Sequence, residues 1–245
     1  IVSGGVTLAK KLRISSMIIG LTVVAYGTST PELAASLLAA FNSHTELILG
    51  NVIGSNISNI GMVIGISAIL SPLIIPRPEA ARWIPIMIGV SLLVIAMSFD
   101  GEISKLDGII LILALIGFTF YTIKSVRNPI WLLPKRFHKE SEALAKSDQH
   151  LEGELFLSKY SIETFPKAIG LVLFGVIILF AGGHLTVHGA VNIAETLGLS
   201  QLVIGVVIVA IGTSLPELIT SIIAIAKKQT DIGVGNIVGS NIYNI

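Results

Sequence analysis

The chain has 245 residues, of which 53% are hydrophobic and 13% charged, and its net charge is +1. Its mean hydropathy is +0.87. Soluble domains carry roughly 25% charged residues, so this composition excludes a soluble globular protein and predicts an integral membrane protein. The absence of cysteine excludes disulfides and thiolate metal sites, and the small net charge gives no reason to expect nucleic-acid binding.

Apolar stretches alternate with short polar segments, a pattern that predicts an all-α, polytopic transmembrane bundle. In chain order we expect a partial helix at 1–9, helices at 14–41, 47–70, 84–99, 106–124, 168–195 and 199–226, and the start of another helix at 232. The chain begins without Met and stops directly after a repeated motif. We therefore expect a fragment that lacks part of its first helix and whatever follows residue 245.

Residues 124–167 separate two apolar halves. Their prolines and the mixed charges at 135–159 are typical of a solvated loop. We interpret this segment as a cytoplasmic loop, with a short amphipathic helix around 141–149. It lies between a first transmembrane half at 1–123 and a second, C-terminally truncated half at 168–245.

Basic residues lie almost entirely on one side of the predicted membrane. Of the 16 Lys and Arg residues, only Lys105 falls in a connecting segment on the opposite side. Because cytoplasmic loops carry an excess of Lys and Arg, the basic side, which includes the central loop, is predicted to be cytoplasmic.

Two sequence motifs occur twice. Residues 27–32 read Gly-Thr-Ser-Thr-Pro-Glu, and residues 212–217 read Gly-Thr-Ser-Leu-Pro-Glu. Residues 50–60 read Gly-Asn-Val-Ile-Gly-Ser-Asn-Ile-Ser-Asn-Ile, and residues 235–245 read Gly-Asn-Ile-Val-Gly-Ser-Asn-Ile-Tyr-Asn-Ile. The offset is the same for both motifs, since 217 − 32 and 244 − 59 both equal 185. An ungapped duplication of this kind indicates internal structural repeats.

The two repeats, at about 14–70 and 199–245, are predicted to cross the membrane in opposite directions. The first motif belongs to a helix that runs outward, and its copy belongs to a helix five spans later that runs inward. Inverted-topology repeats are a recurring transporter architecture, with the binding site at their interface near the bilayer midplane.

Two acidic residues lie inside predicted spans. Glu32 and Glu217 each follow a proline, Pro31 or Pro216, which opens the helix because it has no N–H to donate. An ionisable side chain at this depth costs at least ~3 kcal/mol on insertion scales. We therefore predict that both acids are functional.

Two hydroxyls precede each acid by four and three residues, so they are expected on the face of the acid of their own helix, and a serine and an asparagine four residues apart follow in the second motif of each repeat. They are Thr28, Ser29, Ser55 and Asn59 in the first repeat, and Thr213, Ser214, Ser240 and Asn244 in the second. All are hard oxygen donors, which suit Ca²⁺ or Na⁺, whereas zinc or copper prefers His or Cys. The sequence predicts one cation site made in two halves.

Glycines in the second motif and directly after its first copy indicate close helix packing. Gly50, Gly54 and Gly61, with Gly235 and Gly239, have the small-residue spacing that lets helices approach closely. We expect this packing to bring the ligand-bearing helices together.

Three classes of function were compared with these features. A secondary antiporter accounts for the inverted repeats and the duplicated acids. An intramembrane enzyme needs a nucleophile with a base or a His-rich metal motif, and the sequence has neither. A cation channel could bind ions through the same oxygens, but a buried site with two acids suits stepwise exchange better than the rapid release of ions that a channel requires.

The paired motifs resemble the alpha repeats of the sodium/calcium exchangers in the calcium/cation antiporter superfamily, particularly those of prokaryotic members. The resemblance covers residues 1–70 and 168–245 and includes the long loop between the halves. It implies a ten-helix protein, about eight helices of which are present here in whole or part, that uses the Na⁺ gradient to drive Ca²⁺ outward. The helix at 168–195, with the partial helix at 1–9, is similar to the family's sliding gate.

The resemblance also implies roles for individual residues. Glu32 and Glu217 correspond to the central carboxylates that bind Ca²⁺ or Na⁺, and Asn59 and Asn244 complete the central site. Flanking Na⁺ sites take hydroxyl or carbonyl oxygens from Thr28, Ser29, Thr213, Ser214, Ser55 and Ser240, together with the backbone oxygens of Ala25 and Ala210. Two carboxylates balance one Ca²⁺, so the family's three Na⁺ imply electrogenic exchange.

Asn244 bears on which ions are exchanged. Several prokaryotic members and the potassium-dependent relatives have Asp here, whereas animal sodium/calcium exchangers have Asn. Potassium-dependent exchange is therefore a less favoured alternative. Ca²⁺/H⁺ antiport is also less favoured, because the proton/calcium branch of the superfamily lacks this Gly-Thr-Ser run, and a cation channel is a more distant alternative. The expected location is the inner membrane of a prokaryote. The expected partners are Ca²⁺, Na⁺ and lipid, without a cofactor, nucleic acid or protein partner.

Overall fold

Helices dominate the computed structural model, which describes residues 1–12, 14–43, 45–73, 75, 77–127, 164–198 and 203–245. No strand occurs among these residues. Five of their helices are long and apolar enough to cross a membrane, and they span Thr45–Leu70, Arg77–Asp100, Lys105–Lys124, Phe165–Gly182 and Val207–Ala226. The all-α, multi-pass fold predicted from the sequence is confirmed.

The first half begins with helix α1 (Val2–Leu12). A first broken helix follows, made of α2 (Ser16–Ile19), the π-helical turn π1 (Gly20–Val24), α3 (Ala25–Thr28) and, beyond Ser29, α4 (Thr30–Phe41). The remaining elements of this half are α5 (Thr45–Ser58), π2 (Asn59–Ile64), α6 (Gly65–Leu70), α7 (Arg77–Met97), a 3₁₀ turn (Ser98–Asp100) and α8 (Lys105–Arg127).

The second half repeats this order of elements. After the long helix α9 (Phe165–Thr196), a second broken helix consists of π3 (Ile204–Val209), α10 (Ala210–Thr213) and, beyond Ser214, α11 (Leu215–Ala226). Helix α12 (Thr230–Tyr243) ends the described chain. The amphipathic helix expected around 141–149 lies outside the described residues.

The helix expected at 14–41 is two helices rather than one opened helix. It breaks at Ser29, whose ψ of 3° departs from the α-helical value, and Pro31 lies in the first turn of α4. The second repeat breaks in the same way at Ser214, ahead of Pro216. Proline is tolerated in a first helical turn, where its missing N–H is not needed. The prolines therefore begin new helices, one residue before each acid.

Helix α12 crosses the first broken helix in direct backbone contact. A Cβ atom on Gly235 would collide with the carbonyl oxygen of Met17, and one on Gly239 would collide with that of Leu21. Close packing at these two glycines follows the sequence prediction. For Gly61 that prediction is wrong, because this glycine is exposed and has nothing within 4 Å of its Cβ position.

Helices α1 and α9, the pair that resembles a sliding gate, pack against each other. Val2 and Val6 lie in one apolar cluster with Ala168 and Val172. A Cβ on Gly27 would collide with Val176 of α9, so this helix also touches the first broken helix at its motif.

The directions of the two broken helices follow from the helices between them. Four described spans, at Thr45–Leu70, Arg77–Asp100, Lys105–Lys124 and Phe165–Gly182, separate the two broken helices. Helices that cross a membrane reverse the chain at each crossing, so the four described candidate spans favour opposite directions for the two repeats. This arrangement agrees with the inversion inferred from the basic residues.

Candidate cation-binding site

Both acids of the duplicated motif are buried at the start of a half-helix. Glu32 lies in the first turn of α4 and is 3% exposed, and Glu217 lies in the first turn of α11 and is fully buried. The N-terminus of a helix carries partial positive charge, which favours a carboxylate there. One oxygen of each carboxylate, Oε2, has no hydrogen-bond partner.

Serines at the helix breaks connect each acid to the opposite repeat. Ser29 Oγ donates to Glu217 Oε1 at 3.0 Å, and Ser214 Oγ donates to Glu32 Oε1 at 3.5 Å. Ser240 Oγ of α12 also donates to Glu217 Oε1, at 3.2 Å. The sequence placed each serine beside the acid of its own helix. In the structure these hydroxyls, which stand at the breaks, instead join the two repeats.

The threonines of the first motif contact asparagines that were not among the predicted ligands. Thr28 Oγ1 donates to Asn236 Oδ1 at 2.9 Å, and Thr213 Oγ1 donates to Asn51 Oδ1 at 3.2 Å. The two contacts are equivalent, since 51 + 185 = 236 and 28 + 185 = 213. The duplication of Asn51 at position 236 in the Gly-Asn pair was the available signal.

The asparagines at the end of the second motif are also buried. Asn244 Nδ2 donates to Ser55 Oγ at 3.1 Å, which links the two repeats again, while Asn244 Oδ1 has no partner. Asn59 begins π2 and is fully buried, and neither atom of its amide has a partner. A π-helical turn is frequent at functional sites.

The backbone oxygens of Ala25 and Ala210 lie beside the threonines. Each lies 3.3 Å from the threonine hydroxyl three residues later, as an alternative acceptor of its one proton, and accepts a hydrogen bond from the backbone N–H of the serine that follows that threonine. Both alanines are fully buried. Of the ten predicted site residues with polar side chains, only Asn59 has a side chain that makes no hydrogen bond in the described structure.

The unpaired oxygens define the chemistry of this site. Buried polar atoms are almost always hydrogen-bonded, yet four oxygens at equivalent positions are not, namely Glu32 Oε2, Glu217 Oε2, Asn59 Oδ1 and Asn244 Oδ1. Two carboxylates and two amides offer hard oxygens to a cation. The described residues contain no cluster of three His, Cys, Asp or Glu side chains.

A membrane bundle of inverted repeats with paired acids at their interface defines the class of membrane cation antiporters. A family model described as "Sodium/calcium exchanger protein" matches residues 1–124 and 167–245. The chain belongs to the sodium/calcium exchanger family, which confirms the resemblance inferred from the motifs. Members of this family are transporters and not enzymes.

Similar proteins cover the whole chain. The putative antiporter CaxA of Alkalimonas amylolytica is 40% identical over 250 residues, which include 100% of this chain and 72% of that protein. The sodium/calcium exchanger MaX1 of Methanosarcina acetivorans is 32% identical, over an alignment that includes 98% of this chain and 73% of that protein. The structure of a sodium/calcium exchanger from Methanococcus jannaschii has a TM-score of 0.74 and 31% identity, over 100% of this chain and 71% of that one.

Proposed function

We propose that this protein exchanges Na⁺ for Ca²⁺ across a prokaryotic inner membrane, with its central loop on the cytoplasmic side, and that it exports Ca²⁺. The observation that carries the proposal is the set of four unpaired, buried oxygens contributed by two acids and two asparagines. Two adjacent buried carboxylates need a compensating cation, because an unpaired buried charge is strongly unfavourable.

The site residues divide into a central and a flanking set. Ca²⁺ binds between Glu32 and Glu217, with the amide oxygens of Asn59 and Asn244 completing the centre. The flanking Na⁺ ions take the hydroxyl and carbonyl oxygens of Thr28, Ser29, Ser55, Ala25, Thr213, Ser214, Ser240 and Ala210. Because the carboxylates serve both ions, Na⁺ and Ca²⁺ compete, which is the requirement for exchange.

Alternating access requires that the contacts between the repeats break and re-form. The serine bonds to the acids and the bond from Asn244 to Ser55 all cross between the repeats. Bound cations compete for these same oxygens, so ion occupancy shifts the balance between conformations. Helices α1 and α9, packed on the first broken helix, would carry the movement.

The test is Ca²⁺ uptake into proteoliposomes of the complete protein, with outward gradients of Na⁺, K⁺ or H⁺ compared. We expect uptake with the Na⁺ gradient and none with K⁺ or H⁺ alone. Glu32→Gln and Glu217→Gln should each reduce uptake at least ~10-fold. Each change removes a carboxylate that pairs with the bound cation, and breaking a buried charge pair costs about 2–5 kcal/mol.

Glu46→Gln is the matched control, because Glu46 is an exposed acid in the first turn of α5 and its loss leaves the site intact. Uptake that protons alone drive equally well, or that survives both site substitutions, would contradict the proposal.

The proposed stoichiometry makes transport electrogenic. Exchange of three Na⁺ for one Ca²⁺ moves one net charge, worth about 2.3 kcal/mol per 100 mV. In the same liposomes, Ca²⁺ uptake coupled to the exit of three Na⁺ moves one net positive charge outward, so an inside-positive potential should accelerate it. Uptake that does not respond to the imposed potential would contradict the 3:1 ratio alone.

A further inference from the structure

Each threonine hydroxyl at the site has more acceptors than it has protons. Thr28 Oγ1 lies 2.9 Å from Asn236 Oδ1, 3.3 Å from the carbonyl oxygen of Ala25 and 3.5 Å from Ser240 Oγ. A hydroxyl group has one hydrogen to donate. The shortest of these contacts is to the asparagine of the opposite repeat, which therefore takes the proton.

The amide orientation of Asn51 follows from its other contacts. Asn51 Nδ2 donates to the backbone carbonyl oxygen of Glu32 and to Ser36 Oγ, both at 2.9 Å. A carbonyl oxygen only accepts hydrogen bonds, so the NH₂ group must face it. Asn51 Oδ1 consequently faces Thr213 and can only accept its proton.

We propose that Asn51 and Asn236 are positioning residues for the flanking Na⁺ sites, each holding the threonine hydroxyl of the opposite repeat in the orientation that binds a cation. This inference rests on the proposed function. When the asparagine accepts the threonine proton, the hydroxyl lone pairs and the alanine carbonyl oxygen stay available to Na⁺. Without the asparagine, the hydroxyl donates to the alanine carbonyl three residues earlier in its own helix.

That rearrangement would affect Na⁺ more than Ca²⁺. The internal bond from Thr213 to the carbonyl of Ala210 occupies two of the neutral oxygens assigned to a Na⁺ ion. The carboxylates and amides assigned to Ca²⁺ make no hydrogen bond to the Asn51 side chain, so its replacement removes none of their contacts. Asn51 does bond to Glu32, but to the backbone oxygen and not to the carboxylate. A role limited to helix packing has no reason to distinguish the two ions.

The experiment compares Asn51→Leu, Thr213→Val and the double variant in proteoliposomes. The Na⁺ concentration for half-maximal Ca²⁺ exchange should rise about fivefold in Asn51→Leu, the effect of one net hydrogen bond, and at least as much in Thr213→Val, which removes the hydroxyl itself. The double variant should show no larger shift than Thr213→Val alone, since Asn51 acts through the Thr213 hydroxyl. Calcium affinity, measured without Na⁺, should stay within twofold of that of the unaltered protein.

The matched control combines Asn51→Leu with Thr28→Val. In the unaltered protein the Thr28 side chain bonds to Asn236 and not to Asn51. Here the two shifts in Na⁺ dependence should multiply. Multiplying shifts in the Asn51 and Thr213 pair, or an equal loss of Ca²⁺ affinity, would overturn the inference. Ser36→Ala, which removes one acceptor of Asn51 Nδ2, gives a milder shift in the same direction and keeps the test valid if Asn51→Leu does not fold.

The outcomes separate this inference from the proposed function. If the unaltered protein shows no Na⁺-driven exchange, the proposed function itself is wrong. If it shows such exchange while Asn51→Leu and Ser36→Ala leave the Na⁺ dependence unchanged, only the positioning role is wrong.

Discussion

Asn59 combines complete burial with an amide that makes no hydrogen bond. Leaving a buried polar group unsatisfied costs about 1–3 kcal/mol, whereas an apolar side chain of similar shape carries no such cost. The residue is therefore a poor choice for stability, which agrees with the proposal that its oxygen binds an ion.

Asn59→Leu should accordingly separate stability from binding. We expect the substituted protein, purified in detergent without Ca²⁺, to unfold at the same temperature as the unaltered protein or at a higher one. The rise in unfolding temperature on adding Ca²⁺ should shrink, because stabilisation by a ligand depends on its affinity for the folded state. Thermal unfolding with and without Ca²⁺ measures both quantities.

Asn56→Leu is the comparison variant for Asn59→Leu. Asn56 is half-buried, and its Nδ2 donates to the carbonyl oxygen of Val52 in its own helix at 2.9 Å. This substitution should preserve the Ca²⁺-dependent rise. A loss of stability in Asn59→Leu together with a normal Ca²⁺ response would mean that Asn59 serves the fold and not the ion.

At the scale of elements, the site depends on how closely α12 approaches the first broken helix. Gly20, Gly235 and Gly239 face backbone atoms of the partner element, which are not free to move away. This contact places Asn236 and Ser240 beside Thr28. Breaks at Ser29 and Ser214, each preceded by a π-helical turn, then turn the serine hydroxyls to the opposite repeat.

Gly235→Ala should therefore be strongly destabilising, by about 1–3 kcal/mol, because the added methyl group overpacks a backbone contact. Gly61→Ala is the comparison variant, since Gly61 directly follows the first copy of that motif and has open space at the Cβ position. That change should be neutral or stabilising by up to about 1 kcal/mol, since alanine restricts the unfolded chain more than glycine. Denaturation in detergent compares them, and equal losses of stability would exclude this account of the crossing.

At the scale of the whole molecule, the inversion of the repeats can be tested at two equivalent positions, one in each repeat. Ser43 follows the first broken helix and Lys228 follows the second, and 43 + 185 = 228. Both residues are exposed, and both have positive φ, of 61° and 56°. Equivalent turns thus end the two broken helices.

Single cysteines at these positions test the inversion, since the chain has no cysteine of its own. In intact cells, a membrane-impermeant maleimide should label Ser43→Cys but not Lys228→Cys. Permeabilised cells should allow both to react, which controls for exposure. Labelling of both cysteines, or of neither, in intact cells would rule out opposite orientations.

Sequence alone determined the class of the protein and predicted most of the candidate site residues. The hydropathy of each stretch follows from its own residues, so the spanning helices and the division into two transmembrane halves could be predicted from the sequence. Glu32 and Glu217 were identifiable because an acid inside an apolar stretch is costly, and the exact duplication extended that argument to the neighbouring hydroxyls and amides. The family followed from the same motifs and is confirmed by the match.

Only the tertiary structure decided which side chains meet. The bond from Ser29 to Glu217 joins residues 188 positions apart, and that from Thr28 to Asn236 joins residues 208 positions apart. Helical spacing describes neighbours within one element, so it placed the serines beside the wrong acid and gave Gly61 a packing role. Partners across the repeats depend on where each helix breaks and how closely the helices cross, which is why Asn51 and Asn236 emerged from the structure.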